Sequence, residues 1–149
     1  MKLEKDTKQI VVISASVIGG IIIIMGAKKI VDLVKKKEGK EYVKGADKEV
    51  NKNDLTYNKV DYEGMASTLQ QAMQGCGTDY YAIERIIKKL KTKSDWYMLV
   101  KTFGAKNVDG GMFCPNNSGS LIDWLMQELS VGSEQEAISG LLGKLGVTL

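Results

Sequence analysis

The chain has 149 residues, enough for one ordinary domain, with 44% hydrophobic residues, 26% charged residues and a formal net charge of +3. It contains no histidine, which excludes Ser-His-Asp and Cys-His nucleophiles, the HExxH zinc site and the usual general base near neutral pH. The lysines cluster beside an apolar stretch, so the excess of positive charge favours a membrane surface as the partner. Arg85 is the only arginine, so we do not expect the chain to bind nucleic acid.

The first element is an apolar run that follows a short tail, residues 1–9. From Ile10 to Ala27 there are 18 consecutive residues without a charge, and a helix of that length spans about 27 Å, close to the thickness of a hydrocarbon core. We therefore predict a transmembrane helix with a basic juxtamembrane extension over residues 10–37. The residues expected to contact the bilayer are Ile10, Val17, Ile21, Ile24, Lys28 and Lys29.

A cleaved signal peptide is the competing interpretation of this segment. A basic start followed by an apolar run that ends at Ala27 is typical of a signal peptide. Met25 occupies a position of the cleavage site where a small residue is expected, which argues against cleavage. Residues 28–37 carry five lysines, whereas the three lysines of residues 1–9 are partly offset by two acidic residues. The positive-inside rule therefore favours a cytoplasmic C-terminal domain. Small residues four apart, as at Ser16 and Gly20, are typical of helices that self-associate in membranes.

Residues 38–60 form the next segment, a charged linker. The segment has little apolar periodicity and many alternating charges, which predicts an extended or partly disordered spacer. A helical stretch within it remains open.

Residues 61–149 are predicted to form a five-helix domain. Five windows of helical periodicity, the first from residue 62 to residue 73, are separated by glycines and by Ser, Thr and Asp residues that favour helix starts. Residues 106–119 are expected to be coil because they contain adjacent glycines and the only proline. The predicted helix starts are Thr78, Ser94, Ser120 with Asp123 in a capping box, and Ser133 with Glu136 in another.

The core is expected on the apolar face of each window, with Gly104 ending the third helix in a left-handed conformation. The predicted core positions are Met65, Leu69, Ala72, Met73, Ile83, Ile86, Ile87, Leu90, Trp96, Leu99, Val100, Phe103, Leu121, Ile122, Leu125, Met126, Leu129, Ile138, Leu141, Leu142 and Leu145. The aromatic residues Tyr62, Tyr80, Tyr81, Tyr97 and Trp124 are expected in the core or at its rim.

The two cysteines, Cys76 and Cys114, are too few and too far apart in sequence for a zinc site or a CxxC redox pair. We expect partly buried free thiols, and one disulfide between them is the alternative.

The residues from Met73 to Asp79, MQGCGTD, resemble the annexin repeat signature, in which M-x-G-x-G-T-D joins the first two of five helices. The F-G pair at Phe103 and Gly104 and the D-x-L-x-x-E-L pattern that starts at Asp123 extend the similarity over residues 62–149. The chain resembles a single repeat, as in the short annexin-like modules of bacteria and their phages, whereas annexins proper have four repeats and no transmembrane helix. The resemblance implies an all-α domain of the annexin-repeat type, here with an insertion before the fourth helix.

The resemblance also implies a calcium site. In annexins, carbonyls of the glycine loop and a later acidic residue bind the ion, and the matching residues are Gly75, Gly77 and Glu128. Calcium takes six to eight oxygens, which such a set provides. The simpler interpretation is that the glycines permit a tight turn while Thr78 and Asp79 cap the next helix. No other cofactor is expected.

These observations predict a single-pass, membrane-anchored, non-enzymatic structural or interaction protein. The expected setting is the inner membrane of a bacterium or the internal membrane of a lipid-containing phage virion, and the expected partners are the bilayer and a protein or a second copy of the chain. One alternative is a calcium-dependent phospholipid-binding module. Another is a cell-wall hydrolase with a carboxylate pair, the acid–base chemistry that survives without histidine, although no spacing nominates catalytic residues.

Overall fold

Helices dominate the part of the chain described by the computed structural model, residues 39–148. Helix α1 covers residues 39–49, and a 3-10 turn follows at Lys52–Asp54. The other elements, in chain order, are α2 (Lys59–Met73), α3 (Tyr80–Lys89), α4 (Lys93–Phe103), β1 (Lys106–Val108), β2 (Asn117–Gly119), α5 (Leu121–Glu128) and α6 (Ser133–Gly143). The predicted all-α class is therefore confirmed in its coarse form, a helical bundle with one small sheet.

The core forms where the apolar faces of the helices meet. Helix α2 contacts α3, α4 and α5, and α6 covers α3. Phe103 and Trp124 pack edge to face with their ring centroids 5.3 Å apart, and both side chains are almost fully buried. Of the predicted apolar core positions Met126 is exposed, while Ile122, Leu141 and Leu145 lie at the rim, and Tyr81, expected in the core or at its rim, is 74% exposed. The helical period of the apolar residues thus placed the core correctly.

Polar residues fix the starts of helices α2 and α4. Asn58 and Asp61 exchange side-chain and backbone hydrogen bonds at the start of α2, and Thr92 and Asp95 do the same at the start of α4. Each reciprocal pair satisfies two backbone N–H groups that a helix start leaves without partners. The predicted start of the third window at Ser94 was therefore two residues late.

The other predicted helix starts were partly right. Asp79, not Thr78, caps α3 by accepting from the Ala82 N–H. At the start of α5 the Asp123 carboxylate accepts the Ser120 N–H, which is one of the two bonds of the predicted capping box, and it also accepts the Ser120 hydroxyl. The box predicted for Ser133 and Glu136 is absent, because Gly132 occupies the cap position of α6. The Glu134 carboxylate instead accepts the Ser130 N–H.

Part of the predicted spacer is helical and packed. Helix α1 buries Ala46 in the core, and a Cβ on Gly39 would lie 2.6 Å from the backbone nitrogen of Ser120. The packed part of the chain therefore begins at least 22 residues before residue 61, the predicted boundary. The difference arises because the residues of α1 that pack in or against the core, Tyr42, Val43 and Ala46, form only a short apolar stripe among many charges.

The segment predicted as coil between the third and fourth windows contains a hairpin. Strands β1 and β2 pair antiparallel, with Lys106 opposite Gly119 and Val108 opposite Asn117. All three residues of β2 are buried, and β2 packs against α5. Strands of three residues with no alternation of apolar and polar residues carry no period-two signal, so composition alone indicated coil.

Candidate functional site

The loop between α2 and α3, residues 74–79, contains the two glycines predicted as calcium ligands. Gly75 and Gly77 have φ angles of 104° and 108°, a region that residues with a Cβ rarely adopt. The Asp79 N–H donates to the Ala72 carbonyl at 2.9 Å and closes the turn. The turn itself therefore calls for both glycines, as the simpler interpretation of the motif predicts.

Glu128 lies beside this loop. The Thr78 hydroxyl donates to Glu128 Oε2 at 2.6 Å across 50 residues of sequence, and Glu128 is half-buried at the end of α5. The Thr78 hydroxyl is therefore turned toward α5, while Asp79 accepts the Ala82 N–H at the start of α3. The structure thus brings the predicted acidic residue to the predicted glycine loop.

The groups that meet at this place are oxygens, the Glu128 carboxylate and the Thr78 hydroxyl. This chemistry suits calcium, which takes six to eight oxygen ligands. Among residues 39–148 no group of three or more Asp, Glu or Cys residues is arranged to hold a metal ion. An ion beside Glu128 would therefore depend mostly on neutral carbonyls and water, and a low ligand charge gives weak calcium affinity.

Cys76 and Cys114 form a disulfide, with their Cα atoms 4.9 Å apart. The expected free thiols are therefore corrected to the alternative, a bonded pair. The bond joins the glycine loop to the segment between β1 and β2 and closes a loop of 38 residues, for which chain entropy gives a stabilisation of about 4 kcal/mol. Sequence alone gave no sign of this pairing, because the spacing of two cysteines does not indicate whether a fold brings them together.

The segment between the strands, residues 109–116, carries two adjacent exposed apolar residues. Met112 is 89% and Phe113 is 88% exposed, and we call this pair the hairpin tip. Val131, in the turn between α5 and α6, is 91% exposed. An exposed pair of large apolar side chains on a loop pinned by a disulfide is a feature of interaction sites. The sequence shows a Met-Phe pair within a loop of glycines and polar residues, but it does not show that both side chains are exposed.

The base of the hairpin is attached to the C-terminal end of α2. Asn117 Nδ2 donates to the Met73 carbonyl at 2.5 Å, and Lys106 Nζ donates to Gln70 Oε1. Burial lowers the pKa of Lys106, whose ammonium also lies 4.6 Å from the ring centroid of Phe103. The hairpin tip is therefore held near one end of α2 by hydrogen bonds and a disulfide.

A second polar cluster surrounds Asp95, which is fully buried. Its carboxylate accepts the Tyr62 hydroxyl at 2.5 Å, the Thr56 N–H at 2.8 Å and the Lys91 N–H at 2.9 Å. Burial alone would raise the pKa of Asp95, but these hydrogen bonds outweigh it and lower the pKa below its usual range. A carboxylate whose acceptor sites are filled by its own chain holds the fold together, and we assign it a structural role.

Ile10, Val17, Ile21, Ile24, Lys28 and Lys29, the predicted membrane contacts, lie outside the described residues. From residue 39 to residue 148, no helix is both long and apolar enough to cross a bilayer. Comparison of the chain with protein-family models, with curated proteins and with solved structures finds no match.

Proposed function

We propose that this chain is a membrane-anchored, non-enzymatic interaction protein whose helical domain acts by contact at a membrane surface. The observation that carries the proposal is the run of 18 uncharged residues from Ile10 to Ala27. Its ten Ile and Val residues contribute about −4 kcal/mol to insertion, at about −0.4 kcal/mol each. A single pass through a bacterial inner membrane or the internal membrane of a virion fits this segment.

The structural roles of four carboxylates in the domain favour a non-enzymatic role. A chain without histidine depends on carboxylate pairs for acid–base chemistry. Here Asp61, Asp79 and Asp123 hold helix starts, and Asp95 is buried in its hydrogen-bond cluster. These four carboxylates accept hydrogen bonds that stabilise the fold, and a catalytic proton transfer would disturb those bonds. A zymogram against cell wall, in which we expect no lysis band, tests the hydrolase alternative.

We also propose that the domain is related to a single annexin repeat. Five helices, α2 to α6, follow in the order that the resemblance implies, with the glycine loop between the first two of them. The hairpin β1–β2 is then an insertion between the third and fourth helices of the repeat.

Two observations bear on the side of the membrane on which the domain lies, and they favour opposite sides. The lysines of residues 28–37 favour the cytoplasmic side. The disulfide between Cys76 and Cys114 favours a compartment that is not reducing. A short N-terminal tail is a weak determinant of orientation, so we propose that the domain faces the oxidising side.

Extraction with alkaline carbonate tests the anchor. The full chain is expected to stay in the membrane pellet. Replacing Val17 and Ile21 by arginine costs about 5–7 kcal/mol of insertion free energy, more than the apolar run supplies, so this variant should move to the supernatant. Leucine at both positions is the matched control and should remain in the pellet. Release of the unmodified chain by carbonate would refute the anchor.

A second candidate function is calcium-dependent binding of phospholipid. The observation that favours it is the contact between Thr78 and Glu128, which places a carboxylate beside the glycine loop. Carbonyls of residues 74–77 and the Glu128 carboxylate would hold the ion, and the bound ion would supply positive charge for lipid phosphates.

Flotation with liposomes separates this candidate from simple anchoring. Because the apolar run would itself bind lipid, the full chain is held in detergent-stabilised discs and mixed with anionic liposomes, with calcium or with chelator. Calcium-dependent capture that is lost in Glu128→Gln and kept in Glu136→Gln, a change on the exposed side of α6, supports the candidate. Equal capture with chelator eliminates it.

A further inference from the structure

A basic surface lies at the end of α3 and in the turn that leads to α4. Residues 85–93 contain five basic residues and no carboxylate, and all five basic residues are exposed. They are Arg85, Lys88, Lys89, Lys91 and Lys93, and we call them the basic turn. The apolar residues of α3, Ile83, Ile86 and Ile87, are buried, so the basic residues of this helix lie on its outer side.

The two carboxylates nearest to the basic turn in sequence do not neutralise it. Glu84 pairs with Lys88, with 3.0 Å between their charged atoms, so it offsets one positive charge. Asp95 is fully buried, and its carboxylate accepts the Lys91 N–H and the Thr92 N–H. With both counted as full negative charges against the five basic residues, the surface keeps a net charge of +3.

Three basic residues of this surface have no acidic partner. Among the described residues, Arg85, Lys89 and Lys91 form no ion pair. An exposed carboxylate, that of Asp54, also lies nearby, because the Asp54 carbonyl is bonded to the start of α4, but Lys52 in the same 3-10 turn offsets its charge. Three positive charges therefore face solvent without a counter-charge from this part of the chain.

Helix stability does not account for the lysines at the start of α4. Lys88 and Lys89 lie in the last turn of α3, where the negative end of the helix dipole favours cations. Lys93 is the first residue of α4 and Lys91 precedes its cap, Thr92, and the positive end of the dipole disfavours cations there. Residues that oppose a local rule of stability are expected at functional sites.

Hydrogen bonds to other segments hold the backbone of the basic turn in place. The Lys89 carbonyl accepts the Tyr57 hydroxyl at 2.7 Å, and the Lys91 N–H donates to the Asp95 carboxylate at 2.9 Å. The basic side chains thus extend from a fixed backbone, and little backbone order has to be gained when they meet a charged surface.

We propose that the basic turn binds the anionic head groups of a phospholipid bilayer without calcium. Lipid phosphates supply the counter-charge that Arg85, Lys89 and Lys91 lack, and each Lys or Arg near an anionic bilayer strengthens binding about fivefold. The inference rests on the proposed function for the premise that the chain is anchored, and it names the surface of the domain and the class of lipid. Eleven residues, 28–38, separate the apolar run from α1, so an anchor gives the basic turn a high effective concentration at the bilayer.

Nucleic acid is the other polyanion that such a charge attracts. Proteins that read bases use bidentate arginines and stacked aromatic side chains, whereas the basic turn has one arginine and four lysines. Residues 107–143, in contrast, contain five carboxylates and no lysine or arginine. A domain that carries its opposite charges on different segments is oriented by a charged surface, and a bilayer offers such a surface on one side only.

Capture by vesicles in the presence of chelator tests the proposal. The full chain is held in membrane discs of phosphatidylcholine and mixed with vesicles of phosphatidylcholine alone or of a two-to-one mixture with phosphatidylglycerol. Capture is expected only by the anionic vesicles, and it should be lost in about 1 M salt, where the Debye length is about 3 Å. The triple variant Arg85→Gln, Lys89→Gln, Lys91→Gln should bind the anionic vesicles roughly a hundredfold more weakly, because each charge contributes about fivefold.

A second triple variant is the matched control. Lys59→Gln, Lys101→Gln and Lys144→Gln remove the same charge from other exposed positions, two of which are ion-paired, with Glu63 and with Asp47. This variant should be captured like the unmodified chain, and both variants should keep its circular dichroism. Equal losses in the two variants would show that net charge alone drives binding, and unchanged capture of the first variant would show that the basic turn plays no part. Either result would overturn the proposal.

The same discs mixed with duplex DNA test the competing polyanion. Binding to DNA that is lost in the first triple variant, together with no capture by anionic vesicles, would assign the basic turn to nucleic acid and overturn the lipid proposal.

Crosslinking maps the contact in the membrane that holds the chain. The full chain is reconstituted into vesicles that contain phosphatidylglycerol with a photoreactive head group, and the modified peptides are identified by mass spectrometry. Lipid adducts on residues 85–93 are expected. Adducts confined to the hairpin tip or to the glycine loop, residues 74–79, would place a different surface at the bilayer and contradict the proposal.

The outcomes for the anchor and for the basic turn are distinguishable. A chain that stays in the carbonate pellet, but whose discs are not captured by anionic vesicles, keeps its anchor and loses the proposed lipid-binding surface. A chain that carbonate releases, but that still binds anionic vesicles through the basic turn, loses the anchor and keeps the surface. Because chelator is present in the capture assay, neither result depends on the calcium candidate at Glu128.

Discussion

The Tyr62 hydroxyl donates a hydrogen bond of 2.5 Å to the Asp95 carboxylate in the interior of the domain. Tyr62 is 1% exposed and Asp95 is fully buried. The same carboxylate accepts the Thr92 N–H at the start of α4 and the N–H of Thr56, in the segment that precedes α2. Loss of this one side chain would leave donors from three parts of the chain without an acceptor, and an unsatisfied buried donor costs about 1–3 kcal/mol.

Substitution of either partner should lower the stability of the domain by different amounts. Tyr62→Phe removes one donor and leaves the carboxylate with its backbone donors, so we expect a loss of about 1–2 kcal/mol. Asp95→Ala leaves several buried donors without partners, and we expect about 3–5 kcal/mol. Unfolding followed by tryptophan fluorescence measures both, because the only two tryptophans, Trp96 and Trp124, are buried in this domain. Equal losses for the two variants would contradict the assignment of Asp95 as the centre of the cluster.

The stability of the domain should depend on pH through Asp95. Because its pKa in the folded state is lowered, its contribution is present above the usual aspartate range and is lost as pH falls through that range, near and below about pH 4. The Tyr62 pKa is raised, chiefly by burial and also by Asp95, so its contribution is lost at the alkaline end, above about pH 10.

Thermal unfolding as a function of pH measures this dependence. The drop in melting temperature from pH 6 to pH 3 should be smaller in Asp95→Asn than in the unmodified chain. Asp47→Asn is the control, because Asp47 is half exposed and pairs with Lys101 at the surface, where ion pairs contribute little. If Asp47→Asn flattens the profile as much as Asp95→Asn does, the buried cluster is not the source of the acid sensitivity.

Substitution of two glycines in α1 tests the packing of α1 against the start of α5. A Cβ on Gly39 would lie 2.6 Å from the Ser120 nitrogen, whereas a Cβ on Gly45 would meet nothing within 4 Å. Gly39→Ala should therefore destabilise the domain by about 1–3 kcal/mol through overpacking. Gly45→Ala should stabilise it by about 0.5–1 kcal/mol, since alanine is the better helix former. Unfolding by urea gives both values, and a neutral Gly39→Ala would mean that α1 does not dock at Ser120.

The parts of the fold that sequence predicted are those governed by local periodicity. The stripe from Ile83 to Leu90 and the positive φ of Gly104 were predicted because apolar spacing and glycine conformation are properties of a few neighbouring residues, although the ψ of Gly104, −164°, is not that of the expected left-handed cap. The features that were missed depend on distant residues. The disulfide joins residues 38 apart and the Asp95 cluster reaches back 39 residues to Thr56, and no local pattern encodes such contacts.

In the candidate site, too, the local features were predicted from the sequence and the contacts between distant residues were not. The glycine loop was found from its motif, and Glu128 was assigned to it through the family resemblance. Nothing in the sequence indicated that the Thr78 hydroxyl would occupy one oxygen of Glu128. Met112 and Phe113 are exposed because of the way the hairpin is bonded to α2, and the sequence of the loop does not show that attachment.

The oxidation state of the two cysteines gives the last prediction. The chain has only Cys76 and Cys114, so a maleimide mass tag applied after denaturation counts free thiols as zero or two. Membranes quenched in acid, which stops thiol–disulfide exchange and leaves free thiols unblocked, should yield the untagged form, and the same sample reduced first should yield the doubly tagged form. Replacing both cysteines by serine should lower stability by up to about 4 kcal/mol, because the closed loop is lost. Two tags without reduction would show that the domain resides on a reducing side, and the lysines of residues 28–37 would then decide the orientation.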